Sequence, residues 1–369
     1  MRIGILTFCY TVNYGAELQA YALVRTLNNK KNTVAELIDY ECPAILKNNR
    51  PVKGTSGKNI IDKIKKSMAQ KKAEERWNKF RKFEEKYIPV SKETYNRTTG
   101  IRTEFYDRMV IGSDQVWNLQ LTEGDTNFFL PDIRDRNRIC SYAASFGYSQ
   151  VPKEYEAITR KGIEGISNLS VREESGAKII LNLCGKKSRV VLDPTLLLGP
   201  KDWRKLLDEK GNEKRKPYIL LYLVNASDSE MWSFVNKHAR KNNYDILWIT
   251  PRRNIGKPGK KIRSAGPLDF LDLIENASLI VTGSFHAVCF SLQFSKPFLY
   301  TVKDINKSSR VINLIDRLGI EEVIFDARNP MIPQLDYIAI QEKLEDLRKE
   351  SLAILNQMVD TNKYTALDT

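Results

Sequence analysis

The chain of 369 residues holds only two histidines and no G-x-G-x-x-G stretch, so a dinucleotide fingerprint is missing. Its five cysteines, Cys9, Cys42, Cys140, Cys184 and Cys289, are scattered, odd in number and without C-x-x-C spacing. That pattern argues against a disulfide framework and a zinc site, and it fits a reducing compartment. No run approaches the ~18 apolar residues that suggest a membrane span, and the opening MRIGILTF has strand length without a cleavage pattern. A cytoplasmic protein is expected, with peripheral contact at the inner membrane face as one option. No helix-turn-helix, RNA-binding or zinc-finger pattern accompanies the charge, so nucleic acid is not an expected partner.

What is present is a 42% hydrophobic composition and a formal net charge of +14. The length suffices for two ordinary domains with sizeable cores. Much of the charge excess lies in a basic helical insertion at 53–90. There Lys58, Lys63, Lys65, Lys66, Lys71, Lys72, Lys79, Lys82 and Lys86 surround Ile60, Ile64, Trp77, Phe80, Phe83 and Tyr87. Two readings stand for this amphipathic pattern: a solvated face opposite a packing stripe, or attraction to anionic lipid or to a lipid-linked or acidic glycan.

Apolar runs and helical periodicities alternate along the chain. Strands are expected at 2–8, 34–39, 108–112, 138–144, 168–171 and 189–193, with helices at 15–28, 60–86, 152–166 and 173–184. After a break at Gly199-Pro200 and a charged stretch around 208–217, a second series follows. Its strands are expected at 218–224, 245–250, 278–282 and 297–301, its helices at 228–241, 267–276, 285–295 and 308–318. The pattern predicts an α/β protein of two Rossmann-like, doubly wound domains, 1–205 and 206–334. A final helix within 335–369 is placed to pack back on the first domain.

In such folds ligands gather beyond the carboxyl ends of the strands. After strand one, Asn13, Tyr14 and Gly15 enter a helix, and Gly15 permits close approach of a ligand. Asp114 follows 108–112 and suits either a base or a helix cap. Arg172 follows 168–171 and suits either an anion or its acidic neighbours Glu173 and Glu174. Arg252 and Arg253, after 245–250, pose the same choice. The strand 278–282 ends at Gly283, and Ser284 is a good N-cap for a helix with Phe285, Val288, Cys289 and Leu292 at helical spacing. His286 then stands in the first turn of that helix, a proton-transfer group beside a natural anion site. The plainer alternative is a histidine that merely packs.

Six segments in order, FCYTVNYGAELQAYAL (8–23), VIGSDQVWN (110–118), SYAASFG (141–147), LSVREESG (169–176), VVLDPTLLL (190–198) and VTGSFHAVCFSLQFSKPF (281–298), resemble the polysaccharide pyruvyl transferase family. The resemblance covers nearly the whole chain. It implies a fold similar to two-domain B-type glycosyltransferases, with the site in the cleft between domains. It also implies transfer of a pyruvyl group from phosphoenolpyruvate to two hydroxyls of a sugar, giving a ketal in cell-surface polysaccharide. His286 matches the family's histidine and becomes the acid, and Asp114 the group that accepts a proton from or orients the sugar hydroxyl. Arg172, with the helix start at Gly283 and Ser284, would hold the donor, while Asn13, Tyr14 and Gly15 would line the acceptor side. Arg310 is a weaker donor candidate, and neither a metal nor a cofactor is implied. Ser284-Phe285-His286 departs from the R-L-H sequence of many members. Arg252, Arg253 or Arg310 would then replace that arginine, or the donor would differ. Phe8-Cys9-Tyr10 also lies where relatives carry a histidine. A nucleotide-sugar glycosyltransferase and a non-catalytic glycan-binding protein are the rival readings.

Overall fold

A computed structural model describes the chain except residues 53–59, 212–214, 224–228, 252–257, 303–304 and 361–369, and the side chains at 60–62, 65 and 305–307. The first domain begins β1 (Arg2–Leu6), α1 (Tyr14–Asn28), β2 (Val34–Glu41), α2 (Pro43–Asn49), α3 (Ile60–Tyr87), β3 (Val90–Asn96), β4 (Arg108–Ile111) and β5 (Ile139–Ser141). It continues α4 (Lys153–Glu164), β6 (Ser170–Val171), α5 (Glu174–Cys184), β7 (Arg189–Val190) and α6 (Pro200–Asp208). The second contains β8 (Tyr218–Tyr222), α7 (Ser229–Asn242), β9 (Asp245–Ile249), β10 (Lys260–Ile262), α8 (Pro267–Glu275), β11 (Leu279–Thr282), α9 (Phe285–Gln293), β12 (Phe298–Tyr300) and α10 (Ile305–Leu318). Helix α11 (Tyr337–Val359) follows.

The two main sheets are built alike. Each has five parallel strands, in the orders β3-β2-β1-β4-β5 and β10-β9-β8-β11-β12. Strands β1 and β11 are apolar runs without alternation, because a central parallel strand is covered on both faces. The chain works outward from β1 to β3 and then returns to place β4 on the other side of β1. The same reversal separates β8 from β11. Each reversal opens a crevice at the carboxyl ends of two neighbouring strands.

Four elements escaped the sequence pattern. Strand β3 is polar along most of its length and β10 is a three-residue run, KKI, both at sheet edges where no second apolar face is required. Helix α2 is a seven-residue segment behind Pro43, and α6 starts at Pro200, where a proline in the first turn opens a helix rather than breaking the chain. The runs at 168–171 and 189–193 contribute only two residues each to a separate ladder, β6-β7, tied to the main sheet by bridges Cys140–Asn168 and Ala144–Val171.

The domains meet over a continuous apolar seam. Tyr14, at the start of α1, stacks on Phe270 of α8 at 4.5 Å with 4° between the planes, and its hydroxyl donates to the Ala265 carbonyl at 3.1 Å. Phe80 of α3 joins this stack from the side. Gln293 of α9 donates to the carbonyls of Thr195 and Leu198. Helix α11 bonds both halves, Gln341 to Leu292 of the second and Arg348 to Leu196 of the first. Helix α3 also spans the seam: Arg81 pairs with Glu17 at 3.0 Å and Lys79 with Asp269 at 2.6 Å. Among the described residues no helix is long and apolar enough to cross a membrane.

Candidate active site

The two crevices face one another. At each, a threonine hydroxyl bridges the strands flanking the reversal. Thr7 donates to the Ser113 carbonyl at 2.7 Å, and Thr282 to the Tyr222 carbonyl at 2.8 Å. Ser113-Asp114 and Gly283-Ser284-Phe285-His286 continue from these points, so the segments singled out in the sequence lead into the same space.

Its centre is a buried ionic cluster. Arg172, with a side chain only 1% exposed, places Nη1 at 2.9 Å from Asp193 Oδ2, Nη2 at 3.7 Å from Asp114 and Nε at 3.7 Å from Glu173. His286 reaches in from α9, Nε2 at 3.6 Å from the same Asp193 oxygen. Asp193 is fixed by Ser113 Oγ at 3.0 Å, the Thr195 amide at 3.0 Å and the Thr195 hydroxyl at 2.7 Å. Burial alone would raise the Asp193 pKa. The adjacent His286 imidazole and Arg172 guanidinium reverse that and hold it well below the usual carboxylate range. Burial would lower Arg172, but Asp193, Glu173 and Asp114 more than compensate and keep it charged.

The other edge of the imidazole meets the first domain. A methyl group built on Gly15 would lie 1.9 Å from His286 Nδ1 and 2.2 Å from Cε1. Only a residue without Cβ lets the start of α1 approach the ring so closely. Asn13 caps α1, its side chain accepting from the Gly15 amide at 3.0 Å, while Tyr14 is consumed in the interdomain stack. Ser284 caps α9 through the Ala287 amide at 3.5 Å. Gly283 donates its amide to Tyr222 at 3.4 Å.

Arg310 stands apart electrostatically. The guanidinia of Arg310 and Arg172 lie over the Phe285 ring at 6.0 and 5.1 Å. Yet Arg310 is half-buried and has no ion-pair partner among the described residues. Burial, followed by repulsion from Arg172, pushes its pKa down. Arg172, by contrast, faces three carboxylates but hydrogen-bonds only Asp193, and its Nε and Nη2 have no hydrogen-bond partner among the described residues. Arg252 and Arg253 lie outside the described residues.

The structure therefore brings together His286, Gly15, Asp114, Arg172 and Arg310. Of the two acidic neighbours expected as alternative partners of Arg172, Glu173 lies in the cluster, as does Ser113 beside Asp114, and the structure adds Asp193, which was not expected among the site residues. Asp193-Pro194 directly follows a short apolar run, and an aspartate before a proline at a helical first position is a cap signature that marked it. Asp114 has φ of 76°, a conformation aspartate tolerates better than most residues, and this turns the chain sharply into the cleft. Cysteine has no visible part: burial pushes the Cys289 thiol, one turn beyond His286, well above its ordinary pKa.

Similar solved structures include the UDP-GlcNAc 2-epimerase of Neisseria meningitidis, at 9% identity and a TM-score of 0.51 over 97% of this chain and 99% of that one. The UDP-GlcNAc 2-epimerase of Methanocaldococcus jannaschii is 15% identical, with a TM-score of 0.49 over 94% of this chain and 92% of that one. The likeness to the Neisseria meningitidis structure, at 9% identity, shows the two-domain fold of B-type glycosyltransferases alone and nothing of the reaction. No curated relative matches the chain. The family model for polysaccharide pyruvyl transferase matches residues 13–302, from the cap of α1 to just beyond β12, and so takes in every residue of the cluster except Arg310. The chain belongs to the polysaccharide pyruvyl transferase family.

Proposed function

We propose that this transferase moves a pyruvyl group from phosphoenolpyruvate to two hydroxyls of a saccharide, releasing phosphate. The observation that carries the reading is the imidazole of His286. It is held between Gly15 and Asp193 where the two crevices meet, with the guanidinia of Arg172 and Arg310 both over the neighbouring Phe285 ring.

The chemistry needs one acid, one base and a place for an anion. His286, protonated, gives its proton to the methylene carbon of the donor as Asp114 accepts the proton of the first sugar hydroxyl. That oxygen bonds to the electron-poor central carbon. The bond to phosphate then breaks, the phosphate taking the proton from Asp114. The second hydroxyl closes the ketal and returns its proton to His286. Both groups end in their starting states. Arg310 and the N-terminus of α9 at Gly283 and Ser284 bind the donor's negative groups. Arg172 neutralises Asp193 and holds it, with Asp114, in position. Asn13 and Gly15 border the acceptor. Because both ring nitrogens of His286 face first-domain atoms, the donor enters by parting the His286–Gly15 contact.

Calorimetric titration with phosphoenolpyruvate tests this directly. Saturable binding is expected, about tenfold or more weaker in Arg310→Ala and retained in His286→Gln, which loses turnover. Binding of nucleoside diphosphates without phosphoenolpyruvate would overturn the donor assignment in favour of glycosyl transfer.

A further inference from the structure

One face of α3 borders a groove that the reaction above does not use. Lys72, Arg76, Lys79, Phe83 and Lys86 recur at helical spacing along this face and look across the seam at the second domain. The widest part is a cavity of about 580 Å³ between α3 and the starts of β8, β9 and β10. Seven lysines and arginines line it against two aspartates. Some of that charge is neutralised within the wall, Lys79 by Asp269 and Arg215 by Asp272 at 2.8 Å. Lys216 and Lys260 are exposed and have no ion-pair partner among the described residues. Ile262 and Arg263 connect this cavity to a narrower one of about 270 Å³, lined also by Arg76, Tyr222 and Tyr14. Tyr14 adjoins Gly15, the residue against the His286 ring. The groove thus runs from solvent to Tyr14 at the start of α1; Lys72 is paired with Glu75 at 2.7 Å and Lys86 with Glu209 at 2.7 Å, and Lys216 and Lys260 carry charge into it without an ion-pair partner among the described residues.

Shape and chemistry narrow the ligand. A floor this concave cannot lie against a flat bilayer. The buried Tyr218, whose hydroxyl is bound to the Leu273 carbonyl, offers no ring face for stacked bases in the wide part. Lysines on flexible stems over a polar wall suit negative groups spaced along a hydrated chain. We propose that this groove binds an acidic stretch of the polysaccharide acceptor, a polyanionic glycan whose carboxylates or phosphates meet Lys216, Lys260 and Arg263 as one end enters at Tyr14. The inference rests on the pyruvyl-transfer reading for its direction, towards His286, but the binding itself does not require the donor.

The test uses the full chain and a fluorescently labelled octagalacturonate, with its methyl ester as the uncharged match and a single-stranded oligothymidylate of similar length. Anisotropy without donor is expected to show saturable binding of the acid, weakening as salt rises from 50 to 200 mM, and little binding of the ester. Lys216→Glu with Lys260→Glu should bind about tenfold more weakly, each exposed contact being modest but reversed in sign. The unchanged thermal melt of this variant would verify its fold. Lys72→Glu supplies a second variant from the opposite wall. Equal affinity for the ester, tighter binding of the oligothymidylate, or wild-type affinity in both variants would overturn the proposal. Binding of the acid by a protein that does not bind phosphoenolpyruvate would leave the groove assignment standing and sink the donor reading instead.

Discussion

The contact between Gly15 and His286 permits a test that needs no substrate. In Gly15→Ala the new methyl would sit 1.9 Å from Nδ1 and 2.3 Å from Cγ, whereas unstrained heavy atoms rest at about 3.5 Å or more. The ring must retreat by about 1.5 Å, or the domains must part by as much. Overpacking of this kind costs about 1–3 kcal/mol. Gly15 lies in α1 with an ordinary helical backbone, so alanine also gains up to about 1 kcal/mol of helix propensity. The net change in stability is therefore modest, about 0–3 kcal/mol, while a displacement of this size at the proposed proton donor removes about a hundredfold of rate. The decisive assay is a double-mutant cycle by denaturant unfolding with Gly15→Ala, His286→Ala and the pair. With the imidazole gone, the added methyl has room, and Gly15→Ala should become neutral or stabilising in that background. A coupling of about 1–3 kcal/mol is expected. If Gly15→Ala costs as much without the imidazole as with it, the interdomain contact is not what restricts position 15.

Two titrating sites give predictions of opposite sign. Asp193→Asn leaves Arg172 with two more distant carboxylates, and breaking such a buried pair costs about 3–5 kcal/mol at pH 7. Because the folded pKa of Asp193 is depressed, its contribution is fully present above the ordinary carboxylate value of about 3.9 and is lost as pH falls below it. The gap between wild type and Asp193→Asn should narrow by about 1 kcal/mol between pH 5 and pH 3; a gap constant over that interval would count against an ionised Asp193. Glu17 and Glu84 share the single guanidinium of Arg81 in a buried setting, at 3.0 and 2.7 Å. Burial pushes Glu17 up, so the stability tied to its proton is present at low pH and is lost as pH rises above the carboxylate range. The melting temperature of Glu17→Gln relative to wild type should rise from pH 5 to pH 8, and an advantage that shrinks over that range would refute the assignment.

Much of the fold was legible because parallel sheets advertise themselves. Within RIGIL and LIVT the stretches IGIL and LIV are apolar at consecutive positions, and the helices between the strands repeat every three to four residues. What was not legible lay where burial is incomplete, as in β3 and β10, whose side chains need satisfy only one covered face. The basic segment at 53–90 shows the limit differently. Its lysines and arginines were visible, but that Arg81 would turn inward to Glu17 and Lys79 across to Asp269 depends on where α1 and α8 stand in space.

The site divides along the same physical line. His286, Asp114 and Gly15 were readable because each follows a strand in a local pattern that a single segment supplies. The ranking of the two arginines was not, since it depends on which carboxylates share their space. Arg172 and Arg310 lie over the same Phe285 ring, yet one is within ion-pair distance of three carboxylates from three different strand ends and the other, among the described residues, of none. A buried guanidinium so surrounded does structural work whatever ligand arrives, because exchanging a carboxylate for a bound anion leaves that carboxylate uncompensated in a dry environment. The half-buried, unpaired one gains from an anion without that loss. Sequence singled out Arg172 because it lies in a family motif; in the proposed reaction Arg310 meets the donor directly, while Arg172 holds Asp193 and Asp114 beside His286.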